Sequence, residues 1–283
     1  MSIKLVTDSA ADFDRIELEK YSIECVPLMV SFGSENYIDG INLNKDKFYH
    51  LLQSRDEFPK TSQPAPAAFQ TIFEEAKENG DTVIAILLSS ALSGTYQSAL
   101  IAKDMVGYES IYLFDTRSAT GGEKIYVAIA SQMIEKGYMA EGIVRTLESM
   151  RERGRLYAAL DTLEYLCKGG RLSRTAAGIG TLARLKPIIT LTADGEVTVS
   201  EKCIGRKSSL EHLVKYIEKT GVDTSIPISF VYSHDKSACE KVMANLAGKG
   251  YDLSNSIISN IGPTIGAHIG VGAVGIIYFV PEK

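Results

Sequence analysis

The stretch that most constrains this chain is Asp81–Leu100, DTVIAILLSSALSGTYQSAL. From Thr82 to Leu88 it is an unbroken apolar run, short and bounded by polar residues, the pattern of a buried strand in a parallel sheet. The character then changes abruptly. Ser89, Ser90, Ser93, Gly94, Thr95 and Ser98 crowd together, and Tyr96 to Met105 continues as a helix. Open α/β sheets bind ligands at such places, beyond the carboxyl ends of their strands. Unpaired N–H groups and the positive end of the helix dipole favour an anion, and hydroxyls add donors. A carboxylate or phosphate is the expected guest. Capping by Ser90 or Ser93 accounts for one hydroxyl, but not for so many in so short a span.

The rest of the first half repeats the theme. Ile3–Val6 reads as a strand ending in Thr7, Asp8 and Ser9, and Asp12–Lys20 as a short helix. Ile23–Phe32 reads as a strand with a break at Pro27, which cannot donate to a ladder. Tyr37-Ile-Asp-Gly40 is a turn signal, and Asn44 a helix cap ahead of Phe48, Leu51 and Leu52. Pro64 and Pro66 suit a first helical turn, which places Thr61 and Ser62 just ahead of a second helix N-terminus. Ser110–Phe114 is a further strand, followed by helices over Ala119–Lys136 and Ala140–Arg151. Strands alternating with helices predict a parallel sheet.

The pattern changes near Arg153-Gly154. Strands are expected at Leu156–Leu160, Pro187–Thr192, Glu196–Ile204, Ile226–Tyr232, Ser256–Ile261 and Val271–Val280, with a hairpin turn at Ala193-Asp194-Gly195. Helices are expected after Asp161, over Ser173–Ala183, over Leu210–Glu218 and over Ser237–Leu246. The reading is an α/β chain. An N-terminal domain over residues 1–153 carries a parallel sheet, and a C-terminal α+β domain over 154–283 carries a partly antiparallel one.

Several function classes fall away. No apolar run approaches a membrane span, and MSIKLVTDSA has no long apolar segment of a secretory signal, so a cytoplasmic protein without membrane insertion is expected. A net charge of −5 argues against a nucleic-acid partner. The four cysteines have no C-x-x-C spacing and the four histidines no metal-ligand spacing, so neither a metal nor a cofactor is expected. The strings from Gly270 to Gly275 and from Gly178 to Ala183 match a dinucleotide fingerprint without its strand-turn-helix context. Gly248-Lys249 is not a P-loop, and Ala91 and Thr95 stand where a nucleophile elbow around Ser93 needs glycines. In the glycine-dense loop Gly262–Gly270, His268 is either satisfied by a backbone carbonyl or is a donor, even a cation, aimed at an anion.

Taken in order, Thr7-Asp-Ser9, Tyr37-Ile-Asp-Gly40, Thr61-Ser-Gln-Pro64 and Ser89-Ser-Ala-Leu-Ser-Gly-Thr95 make half of a recognisable set. Asp161-Thr-Leu-Glu-Tyr-Leu, Lys168-Gly-Gly-Arg171 and Gly262-Pro-Thr-Ile-Gly-Ala-His268 complete it. The set resembles the DegV family of fatty-acid-binding proteins, which includes the binding subunit of bacterial fatty acid kinase. The resemblance implies a long-chain fatty acid held between two domains as ligand, its carboxylate at the junction and its acyl chain in an apolar tunnel. It implies that Thr61 and Ser93 donate to the carboxylate with backbone help around Gly94, and that His268 approaches from the other domain. It further implies no catalytic residue and no phosphotransfer by this chain. The acid would be presented to a separate ATP-dependent kinase subunit, which makes an acyl phosphate for phospholipid synthesis. Arg171, Arg174, Lys202, Arg206 and Lys207 are docking candidates for that partner, Arg171 foremost because it lies in a motif. The alternatives are an acyl hydrolase using Ser93 and His268, and a lipid-responsive regulator.

Overall fold

A computed structural model describes residues 2–173 and 185–282. Most of the expected helix over 173–183, the Gly178 string and Arg174 lie outside the described residues. The first half builds β1 (Ile3–Asp8), a 3-10 turn (Ser9–Ala11), α1 (Arg15–Lys20), β2 (Ile23–Val26), β3 (Met29–Phe32), β4 (Glu35–Ile38) and α2 (Lys45–Ser54). It continues with β5 (Lys60–Ser62), α3 (Pro66–Asn79), β6 (Thr82–Leu87), α4 (Thr95–Val106), β7 (Ile111–Asp115), α5 (Gly121–Glu135) and α6 (Ala140–Arg151). The second half builds β8 (Gly154–Ala159), α7 (Glu164–Lys168), β9 (Leu185–Leu191), β10 (Val197–Ile204) and α8 (Arg206–Thr220). It ends with β11 (Ser229–Tyr232), α9 (Ser237–Gly248), β12 (Ile257–Asn260), α10 (Pro263–Ile269) and β13 (Val274–Phe279).

The fold is mixed α/β. A parallel four-stranded sheet has the order β2-β1-β6-β7. Its central strand β6 is buried from Val83 onward, which is why that segment needs no polar alternation. A six-stranded sheet has the order β10-β9-β8-β13-β11-β12, antiparallel except for the β11–β12 pair. One apolar cluster joins the two, with Leu5, Ile84 and Ile86 of the first packed in the same core as Ile189, Val231 and Ile277 of the second.

Three expectations need correction. Ile23–Phe32 is not one interrupted strand. Pro27 ends β2, the N–H of Leu28 turns aside to donate to Ser9 Oγ at 3.0 Å, and β3 joins a separate antiparallel sheet, β4-β3-β5. Thr61 and Ser62 do not stand at a helix N-terminus. They form β5, with Thr61 paired to Val30, while α3 begins only at Pro66 and its cap residue Ala65 makes no side-chain bond. The Gly262–Gly270 segment is not a loop but the helix α10. Pro263 presets its first turn, and Gly266 lies so close to Phe48 that a Cβ would stand 2.5 Å from the ring. The glycine there serves contact, not turning.

Buried carboxylates of the first half hold α10. Asp39 Oδ2 accepts from the N–H and hydroxyl of Thr264 at 3.1 and 2.5 Å. Asp12 accepts from the N–H of Gly262 at 2.8 Å and from the Thr120 hydroxyl. Asp8 accepts from Ala10 and Leu88 N–H, each at 2.9 Å, and so ties β1 to the end of β6. Burial raises the Asp8 carboxyl from 3.8 to about 6 and that of Asp39 from 3.8 to about 7. Burial also raises Asp12 and Glu123. Folding therefore takes up protons at these sites, and stability falls as pH rises through the window between 3.8 and about 7. The melting temperature is expected to rise by a few degrees from pH 8 to roughly pH 6, by scanning calorimetry. Asp39→Asn, which keeps an acceptor for Thr264, should flatten that slope.

Candidate functional site

A cavity lies between the carboxyl ends of the parallel strands and one face of the six-stranded sheet. Its roof carries Leu88, Leu92 and Ser93, which follow β6, and Ala119 and Thr120, which follow β7. Its floor is set by strand register. Gly275 of β13 pairs with Ala158 of β8, and Ala158 with Ile189 of β9. Side chains of one face recur every second residue, so Leu156, Leu191 and Ile277 share the face with them. Two of the smallest residues thus sit opposite each other in mid-sheet and leave the space open. A Cβ on Gly275 would also stand 2.8 Å from Val231 Cγ2. The lining is apolar apart from a few groups, the composition of a small-molecule site.

Those groups are Thr61, Ser93, Thr120, Thr264, Arg171 and His268. Thr61 Oγ1 lies 2.8 Å from His268 Nε2, joining β5 to α10 across 207 residues. His268 Nδ1 is buried and has no hydrogen-bond partner among the described residues. Gly169, after α7, makes room for it, since a Cβ there would lie 2.3 Å from Nδ1. Burial first, and the nearby Arg171 charge second, push the imidazole down to about 4. Of the two readings left open for His268, neither the backbone-carbonyl partner nor the cation is found: the ring is neutral and its partner is the Thr61 hydroxyl. With its proton on Nε2, the ring donates to Thr61 and leaves the Thr61 hydroxyl proton free for a ligand; the partnerless Nδ1 is then an acceptor, not a stranded donor.

Ser93 Oγ lies 2.9 Å from Thr95 Oγ1 and accepts the Thr95 N–H at 3.3 Å. It is not hydrogen-bonded to His268 among the described residues. Gly94 is the cap residue of α4. A Cβ on it would meet Gln63 Oε1 at 1.9 Å, and Gln63 Nε2 in turn donates to Ser98 Oγ at 3.0 Å. Glycine at 94 thus lets the segment after Thr61 lie directly on the start of α4. Ser93, just ahead of the α4 cap, lines the cavity, whereas no residue at the start of α3 does. Gly94 lines an outer depression with Ser90 and Glu196 that shares Leu92, Ser93, Arg171 and Val197 with the cavity, and so forms its mouth.

Arg171 belongs to this mouth. It is half-buried, donating from Nε to Leu92 O at 2.9 Å and from Nη1 to Gly169 O at 2.7 Å. Arg206 is drawn inward, donating to Gly272 O at 2.5 Å and facing Asp161 at 3.8 Å. Lys207 is exposed and faces Glu211. Sequence reasoning missed Thr120 and Thr264 as lining residues and missed Asp39 as the holder of α10. Asp39 and Thr264 lay inside quoted motifs, and the signal was that each motif combined a polar residue with glycines.

A family model described as an uncharacterised protein of the DegV family matches residues 2–280. The chain belongs to the DegV family. A DegV domain-containing protein of Caldanaerobacter subterraneus is 36% identical over 99% of both chains. Among solved structures, a DegV family protein from Thermus thermophilus described by its fatty acid binding superposes with a TM-score of 0.90 at 29% identity, covering 99% of this chain and 100% of that one. A stearic-acid-binding protein from Eubacterium ventriosum superposes with a TM-score of 0.88 at 26% identity, covering 99% and 98%. Among the described residues no cluster of three or more His, Cys, Asp or Glu could hold a metal ion, and no helix is long and apolar enough to cross a membrane.

The fit of His268 against Gly169 gives a direct test. Gly169→Ala is expected to displace the ring and break its bond to Thr61. The imidazole pKa, followed by NMR, should move from about 4 toward its ordinary 6.5.

Proposed function

We propose that this protein binds a long-chain fatty acid in the cavity described above and presents its carboxylate to a separate ATP-dependent kinase. The observation that carries the reading is the lining of that cavity, apolar along the sheet with a few polar groups, of which Ser93 and Arg171 also line the mouth and Thr61 is bonded to His268. An acyl chain gains about 0.8 kcal/mol for each buried CH₂. A carboxylate left unpaired at such a site would be costly, and hydrogen bonds to a charged group are the stronger kind. Thr61 and Ser93 supply hydroxyl donors, the start of α4 at Gly94 supplies N–H groups, and His268 orients Thr61 rather than touching the acid. The fatty acids in the solved relatives support the same ligand class.

The division at residue 153 is part of this proposal, with the ligand at the junction of the two halves. Kinase docking is assigned to the mouth, where Arg171 stands, rather than to Arg206, whose guanidinium is held by Gly272 and Asp161. The absence of a Ser93–His268 hydrogen bond, and of a carboxylate orienting His268, favours binding over ester hydrolysis.

Native mass spectrometry of the purified protein should show a mass excess that leaves on denaturation as a free long-chain fatty acid. A clean mass with no uptake of added fatty acid would overturn the reading. Thr61→Ala and Ser93→Ala are each expected to weaken binding by about 1–3 kcal/mol, and unchanged affinity in both would remove the carboxylate site. Ala158→Phe should exclude long chains while a short-chain acid still binds, measured by displacement of a fluorescent fatty acid. Acyl phosphate should form only when ATP and the kinase are both added.

A further inference from the structure

A second recess, over the far end of the same sheet face as the cavity, is lined by Arg117, Arg151 and Arg155. Leu156 and Leu191 line both spaces and form the partition between them. The order along the strands is fixed by topology. β13 starts directly after α10, so Gly275 lies at the His268 end. Four residues on, about 13 Å at strand spacing, Phe279 pairs with Gly154 at the opposite end, inside the recess. An acyl chain that starts at Thr61 and follows the Gly275–Ala158 floor is therefore aimed past Leu156 and Leu191 at the arginines.

The recess differs from the cavity in chemistry. Arg117 Nη1 donates to Ala193 O and Arg151 Nη1 to Asp115 O, each at 3.0 Å, and Arg155 Nη1 to the backbone of Glu152 and Gly154. Their hydrogen-bond acceptors are backbone carbonyls, Arg151 also lies over the Phe114 ring at 5.4 Å, and among the described residues none of the three forms an ion pair. Each guanidinium has five N–H donors, so most remain for a ligand. Glu148 and Glu152 also line the recess, at exposed positions. A purely apolar methyl terminus would find nothing to match here. An anionic terminus would find planar donors suited to a carboxylate, whereas in a closed apolar tunnel it would be excluded.

We propose that the recess is a subsite for the far end of the ligand, and that the protein accepts acyl chains carrying a second, terminal carboxylate. This rests on the fatty-acid reading of the cavity. The α,ω-diacid would lie with one carboxylate at Thr61 and Ser93 and the other at Arg117 and Arg151.

The test compares hexadecanoic and hexadecanedioic acid by displacement of a fluorescent fatty acid, in the wild-type protein and in Arg117→Gln, Arg151→Gln and the double variant. The expected result is that wild type binds both acids, and that the double variant loses about tenfold or more for the diacid while the monoacid is unchanged. Retained monoacid affinity also shows that the variants fold. Diacid affinity unmoved in all variants would overturn the proposal, as would a wild-type protein that binds only the monoacid. Failure to bind either acid would instead overturn the fatty-acid reading itself.

Discussion

The site depends on buried carboxylates that cross the molecule to hold one short helix. Asp12 and Asp39, from the first forty residues, accept the N–H groups of Gly262 and Thr264 at the start of α10. That helix has seven residues, too few to be stable alone in water. Its position is set from outside, by these acceptors, by Tyr49 donating to Ile261 O at 2.8 Å and by Phe48 against Gly266. Because α10 is fixed, His268 is fixed, and because His268 is fixed, so is the hydroxyl of Thr61. The burial that raises the carboxyl pKa values is the cost of this arrangement, and hydrogen bonds from backbone and threonine donors partly offset it.

The glycines serve the same end by a different route. At 94, 169, 266 and 275 a side chain would collide with Gln63, His268, Phe48 and Val231 respectively. These residues come from separate elements, so each glycine marks a place where two distant parts of the chain must touch. None of the four has a positive φ. Their role is close approach rather than unusual backbone geometry.

How much of this was legible in the sequence follows from the range of the interactions. Local signals read well: Asn44 caps α2 by accepting from Lys47 N–H, and α6 runs over the expected Ala140–Arg151. The apolar run beginning at Thr82 is the buried parallel strand its composition dictated. Non-local pairing read badly. Nothing near Thr61 announces that it pairs with Val30 rather than leading a helix. The glycines of 262–270 looked like a loop because the partners that make a helix there lie more than two hundred residues away. Thr61, Ser93 and His268 were singled out from motifs, and the structure gathers them around one cavity. The Thr61–His268 bond itself, and the neutral state of the ring, were not readable without burial.

The floor of the cavity has a consequence for how its size is encoded. Gly275 and Ala158 open the space only because they are paired and face the same way. A slip of one residue between β13 and β8 would turn every side chain to the opposite face. Ile276 and Tyr157, now on the other side, would then fill the trench. The dimensions of the ligand space are thus written in hydrogen-bond register as much as in side-chain volume. A bulge at the edge of this sheet could resize the space without any change in the residues that line it.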